Sequence, residues 1–246
     1  MVPQIAAYWY RGSLDEGRNF GDAIAPLLLS RLAGISASWT RPGAARLITI
    51  GSVVGHVPDG WSGVVLGSSS IDRTVRRDLS RARVLAVRGR LTRDACRLSA
   101  GVLLADPGIL IGRIFTRRTP PRRDVLVVPH YVDRDLAARH VRPGTRAVDV
   151  LGDPAALVDA IAGARLVITS SLHAMIAADA LGVPHLVSIH PRVVGGAWKF
   201  EDYASAFGMT FRPGVERLTP RPAMLARQEA MAARYAGLGE VMRGQA

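Results

Sequence analysis

Ser170-Ser171-Leu172-His173, continued by a nearly all-apolar stretch to Leu181 and closed by Gly182-Val183-Pro184, holds the clearest chemical signal in this 246-residue chain. The apolar run Ala164–Thr169 before it predicts a buried strand, and Gly182 with Pro184 predicts the end of a helix. Strand, small hydroxyl residues and helix together place unpaired backbone N–H groups and a positive helix end at the mouth of a parallel sheet. Such a mouth is an anion site. His173 falls in the first helical turn, within reach of whatever those amides hold.

Five other groups of residues could do chemistry beside it. Arg88, in Val87-Arg88-Gly89-Arg90-Leu91-Thr92, ends a strand and starts a helix. That position is the carboxyl edge where ligands bind in open α/β sheets, and a guanidinium there suits a carboxylate or phosphate; a solvated surface arginine is the other reading. Asn19-Phe20-Gly21-Asp22 precedes a helix for which Asp22 is a plausible N-cap, with Pro26 in the first turn. Asn19 and Asp22 are suited to sugar hydroxyls or to orienting a nucleophile, and Gly21 permits close backbone approach. Asp106-Pro107-Gly108 and Val128-Pro129-His130 are strand-end turns, where His130 alone fits a structural role as readily as a chemical one. Trp198-Lys199-Phe200-Glu201-Asp202-Tyr203 surrounds the only lysine with aromatics; the other 31 of the 32 basic residues are arginine. Lys199 is read either as part of a solvated helix start or as a compact cation pairing with an anion beside His173.

The elements that must position these residues follow from short apolar, β-branched runs. Strands are predicted at Ile5–Tyr10, Leu47–Ile50, Val64–Leu66, Val84–Val87, Val102–Leu104, Val125–Pro129, Arg146–Leu151, Leu166–Thr169 and Leu186–Ile189. Helices are predicted at Ala23–Leu32, Arg73–Arg81, Thr92–Leu98, Asp133–His140, Pro154–Ala162 and Leu172–Leu181. Unalternating strands interleaved with helices imply an α/β fold with parallel sheets covered on both faces. The charged, double-proline stretch within Arg113–Arg123 predicts a linker between two Rossmann-like halves, residues 1–115 and 124–218, against the alternative of a loop within one sheet. Residues 219–246 form a helical tail that either packs back on the first half or lies on a membrane surface.

Composition bounds the function. A hydrophobic content of 48% at this length supplies a sizeable core, and no apolar run is long enough for a transmembrane helix. One cysteine, Cys96, excludes an internal disulfide and a cysteine-rich metal cluster, and the first ten residues lack a basic leader. A cytoplasmic protein is therefore expected. The net charge of +12 reflects either arginine-rich coding or an anionic partner such as a phosphorylated substrate or an anionic membrane face. Nucleic acid is not expected, because the arginines are scattered and aromatics are only 6%.

The motifs Asn19-Phe20-Gly21-Asp22, Val87-Arg88-Gly89, Asp106-Pro107, Pro129-His130, Ser170-Ser171-Leu172-His173 with Gly182-Val183-Pro184, and Lys199-Phe200-Glu201-Asp202 occur in the order seen in polysaccharide pyruvyltransferases. From about Tyr8 to Gly208 the chain resembles that family, in the branch acting on exopolysaccharides and glycolipids. It departs in being shorter than many members and in carrying Ala174 where many relatives have Gly. The resemblance implies a two-domain, glycosyltransferase-like (GT-B-like) architecture. It also implies phosphoenolpyruvate as donor, no cofactor or metal, and a carbohydrate acceptor, lipid-linked acceptors included. In that scheme Arg88, Ser170, Ser171, His173, Lys199 and His130 bind the donor, and Asn19 and Asp22 hold the acceptor. His173, Arg88 and Asp22 are the catalytic candidates. The alternatives are a glycosyltransferase using a sugar nucleotide and a non-catalytic sugar- or lipid-binding module.

Overall fold

The computed structural model describes residues 3–12, 19–116 and 124–244. In chain order the first part forms β1 (Gln4–Tyr8), α1 (Phe20–Ala23), α2 (Ala25–Ala33), β2 (Ser36–Trp39), β3 (Leu47–Ile48), β4 (Val64–Leu66), β5 (Arg83–Val87), α3 (Arg90–Ala95), β6 (Leu103–Leu104) and α4 (Ile111–Ile114). The second part forms β7 (Val125–Val128), α5 (Asp135–His140), β8 (Thr145–Ala147), α6 (Pro154–Gly163), β9 (Leu166–Thr169), α7 (Leu172–Ala180), β10 (His185–Val187), α8 (Trp198–Ser205), α9 (Arg221–Ala236) and α10 (Leu238–Arg243).

The strands make two parallel sheets, one of six strands in the order β2-β1-β3-β4-β5-β6 and one of four in the order β10-β9-β7-β8. This is an α/β protein with two Rossmann-like sheets. In each, the strand order reverses once, between β1 and β3 in the first and between β7 and β9 in the second. At such a reversal successive crossovers leave in opposite directions and open a crevice at the carboxyl ends of the strands.

Successive residues of the short strands serve opposite faces. Leu47, Val64 and Leu66 join a large core that also contains Leu126, Val167, Leu172, Ile176 and Met231, so one apolar cluster runs through both halves. Ile48, Val65 and Val87 face the other side, where Val54, Trp61 and Leu79 cover them. That second cover is made of loops. The helix predicted at Arg73–Arg81 is absent: Asp72 Oδ1 accepts from the backbone N and hydroxyl of Thr74 and from Val75 N, and Asp78 Oδ1 accepts from Ser80 N. Short polar side chains there satisfy the backbone locally and outcompete the helical register.

Other boundaries also shift. The helix predicted from Ala23 is two helices meeting at Ile24, and Asp22 lies inside α1 rather than at its N-cap, which is Asn19. The strand predicted at Arg146–Leu151 is confined to Thr145–Ala147. Ser36–Trp39, whose serines hide its strand character, and α8 as a full helix are additions. Of the predicted linker, Arg113 belongs to α4, and residues 117–123 lie outside the described residues.

Two sets of contacts lock the halves together. The tail helix α9 lies along α2, where Gln228 donates to the Ile109 carbonyl and the buried Tyr235 hydroxyl bonds Thr49 Oγ1 at 2.7 Å. On the other side α8 caps α3. Asp202 accepts from Thr92 N at 2.9 Å and from Thr92 Oγ1 at 2.7 Å, and Ser205 Oγ accepts from Arg90 N at 2.8 Å. The close approach requires Gly89, where an added Cβ would stand 1.7 Å from the Asp202 carbonyl oxygen. Asp202→Ala removes a cap supplied from another helix and is expected to lower stability by about 2 kcal/mol in denaturant unfolding; an unchanged midpoint would contradict this role.

Candidate active site

The two crevices face each other across one cavity of about 280 Å³. From the first sheet come Tyr10 after β1 and Gly51, Ser52 and Val53 after β3. From the second come His130 and Tyr131 after β7 and Ser171, Leu172 and His173 after β9. Asn19 and Asp22 of the α1 region and Lys199 of α8 complete the polar part. Six of the eight residues expected to act on substrate thus meet at one place; Arg88 and Ser170 stand behind it.

Arg88 is fully enclosed and does not line the cavity, contrary to the expectation that it projects from the sheet edge. Its Nε donates to Asp106 Oδ2 at 2.8 Å and its Nη1 to Ser52 Oγ at 2.9 Å, while Nη2 has no partner among the described residues. Asp106 is equally enclosed, and its other oxygen accepts from Gly108 N at 2.8 Å. A buried guanidinium is tolerable only beside such a carboxylate. The same Oδ2 lies 3.8 Å from His173 Nε2, a buried ring atom with no hydrogen-bond partner among the described residues. Asp106 therefore holds Arg88 and flanks His173. Sequence reading passed it over as a strand-end turn, although Asp-Pro-Gly at that point was its signal.

His173 leans on the first half of the chain. A Cβ added at Gly21 would lie 1.9 Å from His173 Nδ1, so the glycine of Asn-Phe-Gly-Asp is the bed on which the imidazole rests. Phe20 N donates to Val150 O at 3.0 Å and fixes that bed to the second half. The N-terminus of α7 carries no side-chain cap. Ser171 N is taken by Thr169 Oγ1, so the unused amides begin at Leu172, on the cavity wall. Ser170 serves a different purpose from the one expected. Its hydroxyl accepts from His130 N at 2.9 Å and so sets the position of the His130 loop.

The electrostatics are those of an incompletely neutralised site. Lys199 is buried, lines the cavity and has no hydrogen-bond or ion-pair partner among the described residues. Burial first, then the Arg88 guanidinium, pull its ammonium down to about 7. Burial drops His173 to about 4, with Asp106 opposing and with Arg88 and Lys199 assisting. His130 falls to about 3 through burial, then Lys199 and His173. Asp22 goes the other way, up to about 7, because burial outweighs the hydrogen bond that Asn19 Nδ2 donates at 2.6 Å and the pull of Lys199 and Arg88. Near neutral pH both imidazoles are uncharged, and Asp22 and Lys199 sit at their midpoints. Among the described residues no group of three or more His, Cys, Asp or Glu is placed to hold a metal ion. The cavity also holds His56, a titratable residue that no sequence motif marks.

A sequence model of the polysaccharide pyruvyl transferase family matches residues 62–189, just over half of the chain. The chain belongs to that family, and its general activity is the transfer of pyruvyl groups to polysaccharide, with a carbohydrate as acceptor. No curated protein matches it. The matched span contains Arg88, Asp106, His130 and Ser170–His173 and leaves Asn19, Asp22, His56 and Lys199 outside. Among the described residues no helix is long and apolar enough to cross a membrane.

Gly21→Ala must push the His173 ring out of place. It is expected to cost about 100-fold in turnover; turnover near that of the unaltered protein would show that the contact does not position the ring.

Proposed function

We propose that the protein transfers pyruvate from phosphoenolpyruvate to two hydroxyls of one sugar of a polysaccharide, oligosaccharide or glycolipid, forming a pyruvate ketal. The observation that carries this reading is the convergence, in one cavity, of a Lys199 ammonium with no hydrogen-bond or ion-pair partner among the described residues, two neutral imidazoles and the uncapped start of α7. Phosphoenolpyruvate brings a phosphate and a carboxylate, and such groups raise the proton affinity of every one of these side chains. His173, His130 and Lys199 with the α7 amides hold the donor oxygens in this scheme. Arg88 contributes positive potential from behind, through Nη2 and the wall formed by Ser52.

The proton steps suit Asp22. A carboxyl that titrates near 7 is half protonated at neutral pH and serves equally as acid and base. Protonated Asp22 gives its proton to the methylene carbon of the donor, leaving positive charge on the adjacent carbon. A sugar hydroxyl attacks that carbon and returns its proton to Asp22. The carbon–oxygen bond to phosphate then breaks, the second hydroxyl closes the ring, and its proton departs with the phosphate as hydrogen phosphate. His173 acts as a phosphate ligand here rather than as the acid, because burial keeps it uncharged. The scheme draws on no metal or organic cofactor.

The facing sheets, with α9 and α10 returned to the first, support a glycosyltransferase-like arrangement with the donor on the second half, residues 124–218, and the acceptor on the first, 1–115. The net charge of +12 supports contact with an anionic membrane face carrying lipid-linked acceptors, from the cytoplasmic side. Incubation with phosphoenolpyruvate and a panel of saccharide acceptors should release phosphate and add the mass of a pyruvate ketal. Release from a sugar nucleotide instead would favour glycosyl transfer, and release from neither would favour a binding module. His173→Ala is expected to fold and to lose most turnover; near-normal turnover would remove its assignment. The ratio kcat/KM for phosphoenolpyruvate should fall as pH rises through about 7, where Lys199 loses its charge and Asp22 its proton. Lys199→Arg should weaken that fall, and a flat profile in the unaltered protein would contradict both assignments.

A further inference from the structure

His56 lies in the cavity, but the donor scheme gives it no work. It sits in the loop that follows β3, on the first-sheet side of the crevice. Its Nδ1 is 2.6 Å from the hydroxyl of Tyr8, the last residue of β1. Two aromatic rings hold the imidazole in place: Tyr8 at 5.6 Å in a tilted contact and Tyr10 at 6.0 Å edge-on. The loop is pinned from outside by Arg77, whose Nε and Nη2 donate to the Gly55 carbonyl at 3.2 and 2.7 Å.

The 2.6 Å contact joins the Tyr8 hydroxyl and Nδ1; where the tyrosine is the donor, the imidazole hydrogen resides on Nε2. A neutral ring clamped in this way is a fixed N–H donor. Burial first, then Arg77, hold His56 below the ordinary histidine range, which keeps it neutral. The residue is exposed to solvent at the cavity, whose lining also includes Tyr10 and Val53. One fixed donor beside aromatic and aliphatic surface is a setting for a sugar ring, which offers hydroxyl acceptors at its rim and C–H groups on its faces.

We propose that His56 is an acceptor-binding residue that donates from Nε2 to a hydroxyl of the sugar, and that Tyr8 is the positioning residue that selects its tautomer. The proposal rests on the pyruvyl-transfer reading above and assigns the acceptor to the β1/β3 crevice, opposite Lys199, His130 and His173. Neither residue falls within the span that matches the family.

The test separates donor from acceptor. Phosphoenolpyruvate affinity is measured by titration calorimetry, and the acceptor KM and kcat by phosphate release, for the unaltered protein, His56→Ala, His56→Gln and Tyr8→Phe. Thermal unfolding is followed for all four, and His56→Gln is read in place of His56→Ala if the latter fails to fold. The expected result is a rise in acceptor KM of about tenfold for loss of the donated hydrogen bond. Phosphoenolpyruvate affinity should stay within about twofold, since the donor contacts are untouched. Tyr8→Phe should raise KM less than His56→Ala, because the Nε2–H tautomer is no longer enforced but remains accessible. An unchanged acceptor KM would overturn the proposal, as would a parallel loss of phosphoenolpyruvate affinity in a folded variant. An unaltered protein that binds no phosphoenolpyruvate would overturn the underlying reading and this proposal with it.

Discussion

The enclosed pair of Arg88 and Asp106 is the constraint on which the rest of the site depends. Both side chains are withdrawn from water, so each is tolerable only because the other is there. Satisfying them recruits Ser52 after β3 and Gly108 in the turn after β6, and the uncharged His173 ring of α7 stands 3.8 Å from the carboxylate. The pair stands behind a cavity whose far wall belongs to the second sheet. Two further consequences are electrostatic. Arg88 helps to hold Lys199 and His173 below their ordinary proton affinities, and it tempers the rise of Asp22.

Holding that site together is largely the work of α8 and α1, two short helices that cross between the halves. α8 directs Lys199 into the cavity and Asp202 onto the start of α3. Its Tyr203 donates to Asp179 on α7 at 2.7 Å, so the helices that carry Lys199 and His173 are bonded to each other. Thr219 joins the same carboxylate through its backbone N and hydroxyl, which ties in the approach to α9. α1 places Asp22 in the cavity and Gly21 beneath His173. Both helices read in sequence as motifs, yet each motif mixes a cavity residue with a residue whose task is packing.

That mixture explains how much was legible. The strand–hydroxyl–helix segment is legible because Gly182 and Pro184 end a helix whose start is marked by two serines, and α7 runs Leu172–Ala180 as the pattern requires. The alternation of short apolar runs and helices likewise carries two parallel sheets. Single-residue roles are less accessible, since they depend on where burial and charge meet. Arg88 looks like a ligand-facing arginine until Asp106, 18 residues on, is found bonded to it. Ser170 looks like an anion ligand until His130 N is found to occupy it. His56 has no flanking pattern, because what gives it a place is a tyrosine 48 residues away on the neighbouring strand. The missing helix at Arg73–Arg81 is a local matter: aspartate, serine and threonine at close spacing bond the backbone into turns.

The central claim is that the cavity is an anion site whose positive groups are incompletely charged until the donor arrives. Calorimetric titration of phosphoenolpyruvate at pH 7.5 in buffers of different ionisation enthalpy tests it most directly. Binding should be accompanied by net proton uptake, since the incoming negative charge raises the proton affinity of Lys199, His173 and Asp22 together. Binding without proton uptake, or proton release on binding, would contradict the account.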